Sequence, residues 1–170
     1  SLTMEERSDA VSEMDKLVES GDIYAQYLMG KLWRDGPLLI PDSVNARYWF
    51  ERAAKQGHST AQYSLAKLYL SGDPEVRDVR QGMDWLYTAA VNGNHYAMYR
   101  LAKECLKGEN IEEDTVGAVE WFTKSAERGN QYAEYMLGKL YLTGKEVPYD
   151  EERAIHWLTR SAEQDNQYAQ

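Results

Sequence analysis

YSLAKLYLSG, residues 63–72, returns as YMLGKLYLTG at residues 135–144, and the two stretches are parts of a longer repetition. Ala25, Ala61, Ala97, Ala133 and Ala169 each stand 36 residues after the last, with no insertion or deletion between them. Counted from that alanine, position 3 is always tyrosine (Tyr27, Tyr63, Tyr99, Tyr135) and position 7 always lysine (Lys31, Lys67, Lys103, Lys139). Position 12 is glycine (Gly36, Gly72, Gly108, Gly144) and position 18 aspartate (Asp42, Asp78, Asp114, Asp150). Position 25 is tryptophan (Trp49, Trp85, Trp121, Trp157) and position 30 alanine (Ala54, Ala90, Ala126, Ala162). A register held this closely is the mark of a repeat architecture.

Each constant residue has a physical use. Positions 1, 5, 6 and 9 place alanine, methionine or leucine, glycine or alanine, and an aromatic or Cys105 on one helical face. Glycine at position 12 suits the left-handed residue that ends a helix. Aspartate at position 18 suits an N-cap, where its carboxylate accepts from orphan backbone N–H groups. Positions 22, 25, 26, 29 and 30 form a second apolar face around the tryptophan, closed at position 33 by Gly57, Gly93 and Gly129. The spacing predicts helices near 22–35, 43–56, 58–71, 78–92, 94–107, 114–128, 130–143 and 150–164.

One helix pair cannot bury its own apolar face, but stacked copies can, so the chain is expected to form an all-α solenoid. The expected organisation is a single domain over 1–170, with a capping helix at 4–20 and four repeats at 25–60, 61–96, 97–132 and 133–168. In the capping helix Ala10, Met14 and Val18 take positions 22, 26 and 30. Residues 169–170 read as the start of a fifth repeat, and Ile155, Leu158 and Ala162 of the last complete helix as a face that favours weak self-association.

The run Ala-x-Tyr-x-Leu-Gly-x-x-Tyr-x-x-Gly, then Ala-x-x-Trp and Ala-x-x-Gly, resembles the Sel1-like repeats, relatives of the tetratricopeptide repeat, over about residues 22–168. The resemblance implies a right-handed α–α superhelix that binds proteins or peptides as a scaffold, without catalysis. Asp165 in place of glycine, Cys105 in place of the aromatic, Gly82 in place of alanine and the apolar loop PLLIP depart from the pattern and bear on local packing. The segments GKLYLTGKEVPYD and SAEQDNQYAQ also resemble arrays attached to relaxases of bacterial mobile elements. That likeness implies the alternative of a structural or oligomerisation module of a larger protein. A third alternative, β-lactam hydrolysis, belongs to cysteine-rich relatives, and this chain has one cysteine.

Composition narrows the partner. The formal charge of −9 argues against a phosphate backbone as ligand and for a protein or peptide. No apolar run approaches the roughly 20 residues that span a bilayer. The lone Cys105 excludes an intrachain disulfide, and a cytoplasmic location is expected. No catalytic or metal site is expected. His58, His95 and His156 fall at three different repeat positions, and no nucleophile elbow, phosphate loop or Cys/His metal spacing occurs. Cys105 and the tryptophans read as core, and the position-18 aspartates as caps. No cofactor is expected.

The constant lysine is the lead to function. Positions 36, 3, 7 and 10 share a helical stripe: Tyr24-Tyr27-Lys31-Arg34, Thr60-Tyr63-Lys67-Leu70, Tyr96-Tyr99-Lys103-Leu106 and Tyr132-Tyr135-Lys139-Leu142. Carried over from the tetratricopeptide fold, this stripe faces a concave groove. The expected ligand-binding residues are therefore Tyr27, Lys31, Tyr63, Lys67, Tyr96, Tyr99, Lys103, Tyr132, Tyr135 and Lys139, for an acidic or carboxylate-bearing ligand. Two other readings stay open: the lysine stem lies on the tyrosine one turn back, or duplication preserved it. Positions 24 and 28 vary, which weighs against duplication alone.

Overall fold

The computed structural model describes residues 12–14, 16–36, 39–71 and 73–164. Residues 12–14 and 16–19 are helical. Eight complete helices follow among the described residues: α1 (Ile23–Asp35), α2 (Ser43–Lys55), α3 (Ser59–Tyr69), α4 (Val79–Val91), α5 (His95–Lys107), α6 (Thr115–Glu127), α7 (Gln131–Thr143) and α8 (Glu151–Glu163). There is no strand among them. Odd-numbered helices open the repeats and even-numbered helices close them. The expected helix over 4–20 lies partly outside the described residues. Where it is described, Val18 is buried and Met14 packs beside Ala25 and Met29 of α1. No described helix is long and apolar enough to cross a membrane.

The chain divides into two compact units, one up to Thr88 and one from Ala89. In the first, α2 packs on α1 and α3; in the second, α6 packs on α5 and α7, and α8 on α7. Position 26 is at the centre of each. Phe50 and Phe122 are fully buried, against Ala46, Ala53 and Leu65 in the first unit and Ala118, Ala126 and Leu137 in the second. The tryptophans at position 25 are only half-buried, which corrects the expectation that they form the core. The helix turns them toward its rim, where position 28 supplies a cation. Arg52, Lys124 and Arg160 lie 5.6, 4.6 and 5.2 Å from the ring centres of Trp49, Trp121 and Trp157. These are cation–π distances. The variation at position 28 is therefore largely an exchange of arginine for lysine in one role.

Two clips recur. The backbone N–H of each position-18 aspartate donates to the position-9 carbonyl: Asp42 to Trp33, Asp78 to Tyr69, Asp114 to Cys105 and Asp150 to Tyr141. The same aspartates cap the closing helices, accepting from Asn45, Gln81, Gly117 and Arg153 N–H at 2.8–3.0 Å. Position 34 caps the opening helices through Asp22, His58, Asn94 and Asn130. Gly57, Gly93 and Gly129 turn the chain with φ of 91°, 91° and 81°. Position 12 is mixed. Gly108 and Gly144 are left-handed, but Gly36 is extended at φ −74°, and Gly72 lies outside the described residues. Gly36 is small for another reason: a Cβ there would stand 2.5 Å from the Leu32 carbonyl oxygen. Gly82, the departure at position 22, leaves room for Leu70, whose Cγ a Cβ would meet at 2.7 Å.

Candidate functional site

The constant lysines rise from one face of the opening helices. Lys31, Lys67 and Lys139 are exposed, and Lys103 is half-buried. Three of them lie over the tyrosine one turn back: Lys31 is 5.9 Å from the Tyr27 ring centre, Lys67 5.6 Å from Tyr63 and Lys103 5.6 Å from Tyr99. The stacking reading is thus realised in the structure, and it is compatible with binding. It sets the ammonium of each of these three at the tyrosine ring as a cation–π contact. Among the described residues none of the four lysines is in an ion pair.

The tyrosines fall into two groups. Tyr27, Tyr63, Tyr99 and Tyr135 at position 3 are half-buried. Tyr27 reaches Phe50, with ring centres 6.0 Å apart, and stacks on His58 at 4.8 Å. Tyr99 contacts Phe122 and Tyr132 at 5.8 and 6.0 Å. This group therefore serves the core as well as the surface. Tyr24, Tyr96 and Tyr132 at position 36 are the exposed ones.

Clefts beside the opening helices carry the lysines at their edges. A cleft of about 320 Å³ has Leu28, Leu32 and Met14 as apolar walls and Lys31 and Asp35 beside them. A second, of about 490 Å³, lies between α1 and α3 and includes Arg34, Asp35, Ser64, Lys67, Ser71 and Asp73. A third, of about 230 Å³, lies between α5 and α7 and includes Leu106, Met136, Lys139 and Leu140. The hydrogen bond from Arg34 holds the Asp35 carboxyl below the usual carboxylate range, against desolvation and with help from the charges of Arg34, Lys31 and Lys67. Lys31 and Lys67 thus act on one carboxylate.

Positions 4 and 8, which form the cleft walls, were missed by the stripe drawn through positions 36, 3, 7 and 10. Only the packing of one opening helix beside the next makes them a surface recess. In the third repeat these positions hold Arg100 and Glu104 instead, paired at 3.0 Å, and Asn110 donates to Glu104 at 2.7 Å. Burial would raise the Glu104 pKa, but the bonds from Asn110 and Arg100 outweigh it and hold the carboxyl low. Cys105 is buried as expected, and desolvation pushes its thiol pKa up, which suits a packing residue. Among the described residues no cluster of histidine, cysteine and carboxylates has metal-binding geometry.

A family model described as the Sel1 repeat matches the chain four times, at residues 23–58, 59–94, 95–130 and 131–166. Among solved structures, the chain is similar to c5321, a protective antigen of uropathogenic Escherichia coli displaying an SLR fold. The identity is 30% and the TM-score 0.86, over 93% of this chain and 34% of that one. It is equally similar to a Sel1 repeat protein from Oxalobacter formigenes, at 30% identity and a TM-score of 0.86, over 95% and 47% of the two chains. The chain therefore spans about a third to a half of those relatives. Helicobacter pylori cysteine rich protein B shares the fold at 16% identity and a TM-score of 0.61, over 79% of this chain and 97% of that one. No curated protein matches the chain.

Proposed function

The chain belongs to the Sel1 repeat family, and from that premise we propose that it is a non-catalytic scaffold module that binds acidic protein or peptide segments along the lysine-bearing faces of its opening helices. Proteins of this family act generally as protein-interaction scaffolds and are typically not enzymes. The observation that carries the finer reading is the placing of Lys31, Lys67 and Lys139 at clefts, outside any ion pair among the described residues, on a chain of net charge −9. A surface otherwise rich in carboxylates keeps these cations available, and Tyr27 and Tyr63 pre-order those of Lys31 and Lys67. Within each unit an acidic segment meets the lysine charges with its carboxylates and an exposed tyrosine, Tyr24 in the first unit and Tyr96 or Tyr132 in the second, with its apolar groups.

Each exposed contact contributes about 0.2–1 kcal/mol, so affinity comes from several together and falls with salt. The test is fluorescence anisotropy with a labelled glutamate-rich decapeptide. Replacing Lys67, Lys103 and Lys139 together by Gln is expected to weaken binding about tenfold while the helical circular dichroism is kept. Unchanged affinity, or binding indifferent to salt, would count against the proposal, as would turnover of nitrocefin by the purified chain. Ile155, 58% exposed on α8, favours weak self-association of the same module. Sedimentation of Ile155→Glu beside the parent chain tests it, and a parent that stays monomeric at high concentration rejects it.

A further inference from the structure

Three of the four rim tryptophans hold a cation of their own repeat, and the fourth, Trp85, does not. We propose that Trp85 and Asp84 of α4 form a docking site for an arginine side chain of a protein partner. In the first, third and fourth repeats position 28 brings the cation to the ring: Arg52 lies 5.6 Å from the Trp49 ring centre, Lys124 4.6 Å from Trp121 and Arg160 5.2 Å from Trp157. In the second repeat position 28 is Thr88. Its side chain is short, and its hydroxyl donates back to the Asp84 carbonyl oxygen at 2.8 Å. Among the described residues no cation lies over the Trp85 ring.

Position 24 supplies the complement to the missing charge. It stands one helical turn before position 28, on the same side of the helix. In the first repeat Tyr48 at position 24 helps to hold the cation: Arg52 donates to its hydroxyl at 3.1 Å and lies 5.7 Å from its ring centre. The third repeat carries an acid, the tryptophan and a cation together, as Glu120, Trp121 and Lys124. The second repeat carries the acid and the tryptophan alone. Asp84 is exposed and in no ion pair among the described residues, so Arg80, one turn before it, does not neutralise it by contact. Trp85 is half-buried and packs against the cluster around Phe50, which holds the ring in place before a ligand arrives. Arginine suits this pair better than lysine, because a guanidinium lies flat on an indole while its N–H edge donates to a carboxylate. The chain's charge of −9 draws such a partner in. The site takes the opposite charge to the lysine-bearing faces and lies on a closing helix, so it does not depend on the acidic-segment reading.

The test reads the indole N–H signals of the full, isotopically labelled chain by NMR, with the Trp85 signal identified through Trp85→Phe. Two end-blocked pentapeptides are titrated in, Gly-Gly-Arg-Gly-Gly and the same peptide with uncharged citrulline in place of arginine. The arginine peptide should shift the Trp85 signal more than those of Trp49, Trp121 and Trp157, and the citrulline peptide should leave it in place. Thr88→Arg gives the second repeat the cation of the first and fourth, and should weaken the Trp85 response about threefold. Thr159→Arg adds the same charge at an exposed place on α8 and should leave that response as it is. Asp84→Asn should weaken it about threefold. Tyr48→Asp/Arg52→Thr gives the first repeat the residues of the second and should make Trp49 respond as Trp85 does. Circular dichroism checks that each variant is folded, and the comparison of the two peptides on the parent chain stands without them. A Trp85 signal that moves no more than the other three, that follows both peptides alike, or that responds unchanged in Thr88→Arg would overturn the assignment. Binding of the glutamate-rich decapeptide at the lysine faces is measured separately, so either reading can fail without the other.

Discussion

Glu134 carries a carboxylate where the same repeat position holds Gln26, Gln62 and Met98. It is fully buried, with Arg160 at 3.0 Å from one oxygen and the Gln164 amide donating to the other at 2.6 Å. Desolvation raises its pKa against the opposing pull of Arg160. The contact with Arg160 does not have hydrogen-bond geometry, and Oε1 is left without a hydrogen bond. By the raised pKa alone, Glu134→Gln should raise the Tm at neutral pH, which a thermal melt beside the parent checks. For a carboxyl of raised folded pKa, the parent chain loses stability as pH rises from the unfolded value through the folded one. The advantage of the variant should accordingly shrink as pH is lowered toward 4.5, the ordinary carboxyl value. His58 runs the other way. Its Nδ1 accepts from the Ala61 N–H at 3.0 Å, and burial lowers its pKa. The neutral ring stabilises the fold above the unfolded value of about 6.5, and this is lost as pH falls toward the folded value. His58→Asn, which copies the caps at Asn94 and Asn130, should flatten that part of the decline in a Tm series from neutral to mildly acid pH. His95, also lowered by burial, keeps its own share.

Between elements, position 6 of the opening helix comes close to position 26 of the closing one. A Cβ on Gly30 would run into the Phe50 ring, and one on Gly138 would meet Leu158 Cγ at 2.5 Å. Ala66 and Ala102 fill the same position in the other repeats. Gly30→Ala gains about 1 kcal/mol of helix propensity and loses about 1–3 kcal/mol to overpacking, so urea denaturation should show no net gain and a cost of up to about 2 kcal/mol. The fully buried Phe122 and the half-buried Trp121 give a second comparison. Phe122→Ala should cost about 3–5 kcal/mol. Trp121→Ala should cost less, about 1–2 kcal/mol, because its ring keeps solvent on one side and contributes mainly partial burial and the Lys124 contact. Equal losses in chemical denaturation would return the tryptophan to the core.

At the scale of the molecule, stability is carried by neighbours in sequence. The buried cluster around Phe50 draws its members from α2, α3 and Val76, and the cluster around Phe122 from α5, α6 and α7. In such an array a lesion acts mainly on the repeats that touch it. Phe50→Ala should speed amide hydrogen exchange in α1, α2 and α3 and leave the slow amides of α6, α7 and α8 as they are. Uniform acceleration along the chain would show a single cooperative unit instead. The charge of −9 also belongs to this scale, since it sets the background against which a few cations become a binding feature.

The period alone determined the all-helical repeat fold, because an alanine, a glycine and an aspartate recurring in one register dictate where helices start, stop and turn. The observed helices differ from the expected ones by one or two residues at their ends. Asp42, Asp114 and Asp150 were legible as caps, because capping is local chemistry within a few residues. Asp22, Asn94 and Asn130 carry the same local signal one helix earlier. The tertiary structure decided what depends on neighbours distant in sequence. It put Phe50 and Phe122 at the centre in place of Trp49 and Trp121, since a rotation of one residue about the helix axis separates core from rim. It also turned Leu28, Ser64 and Met136 into cleft walls, since a recess between two helices exists only once both are packed side by side.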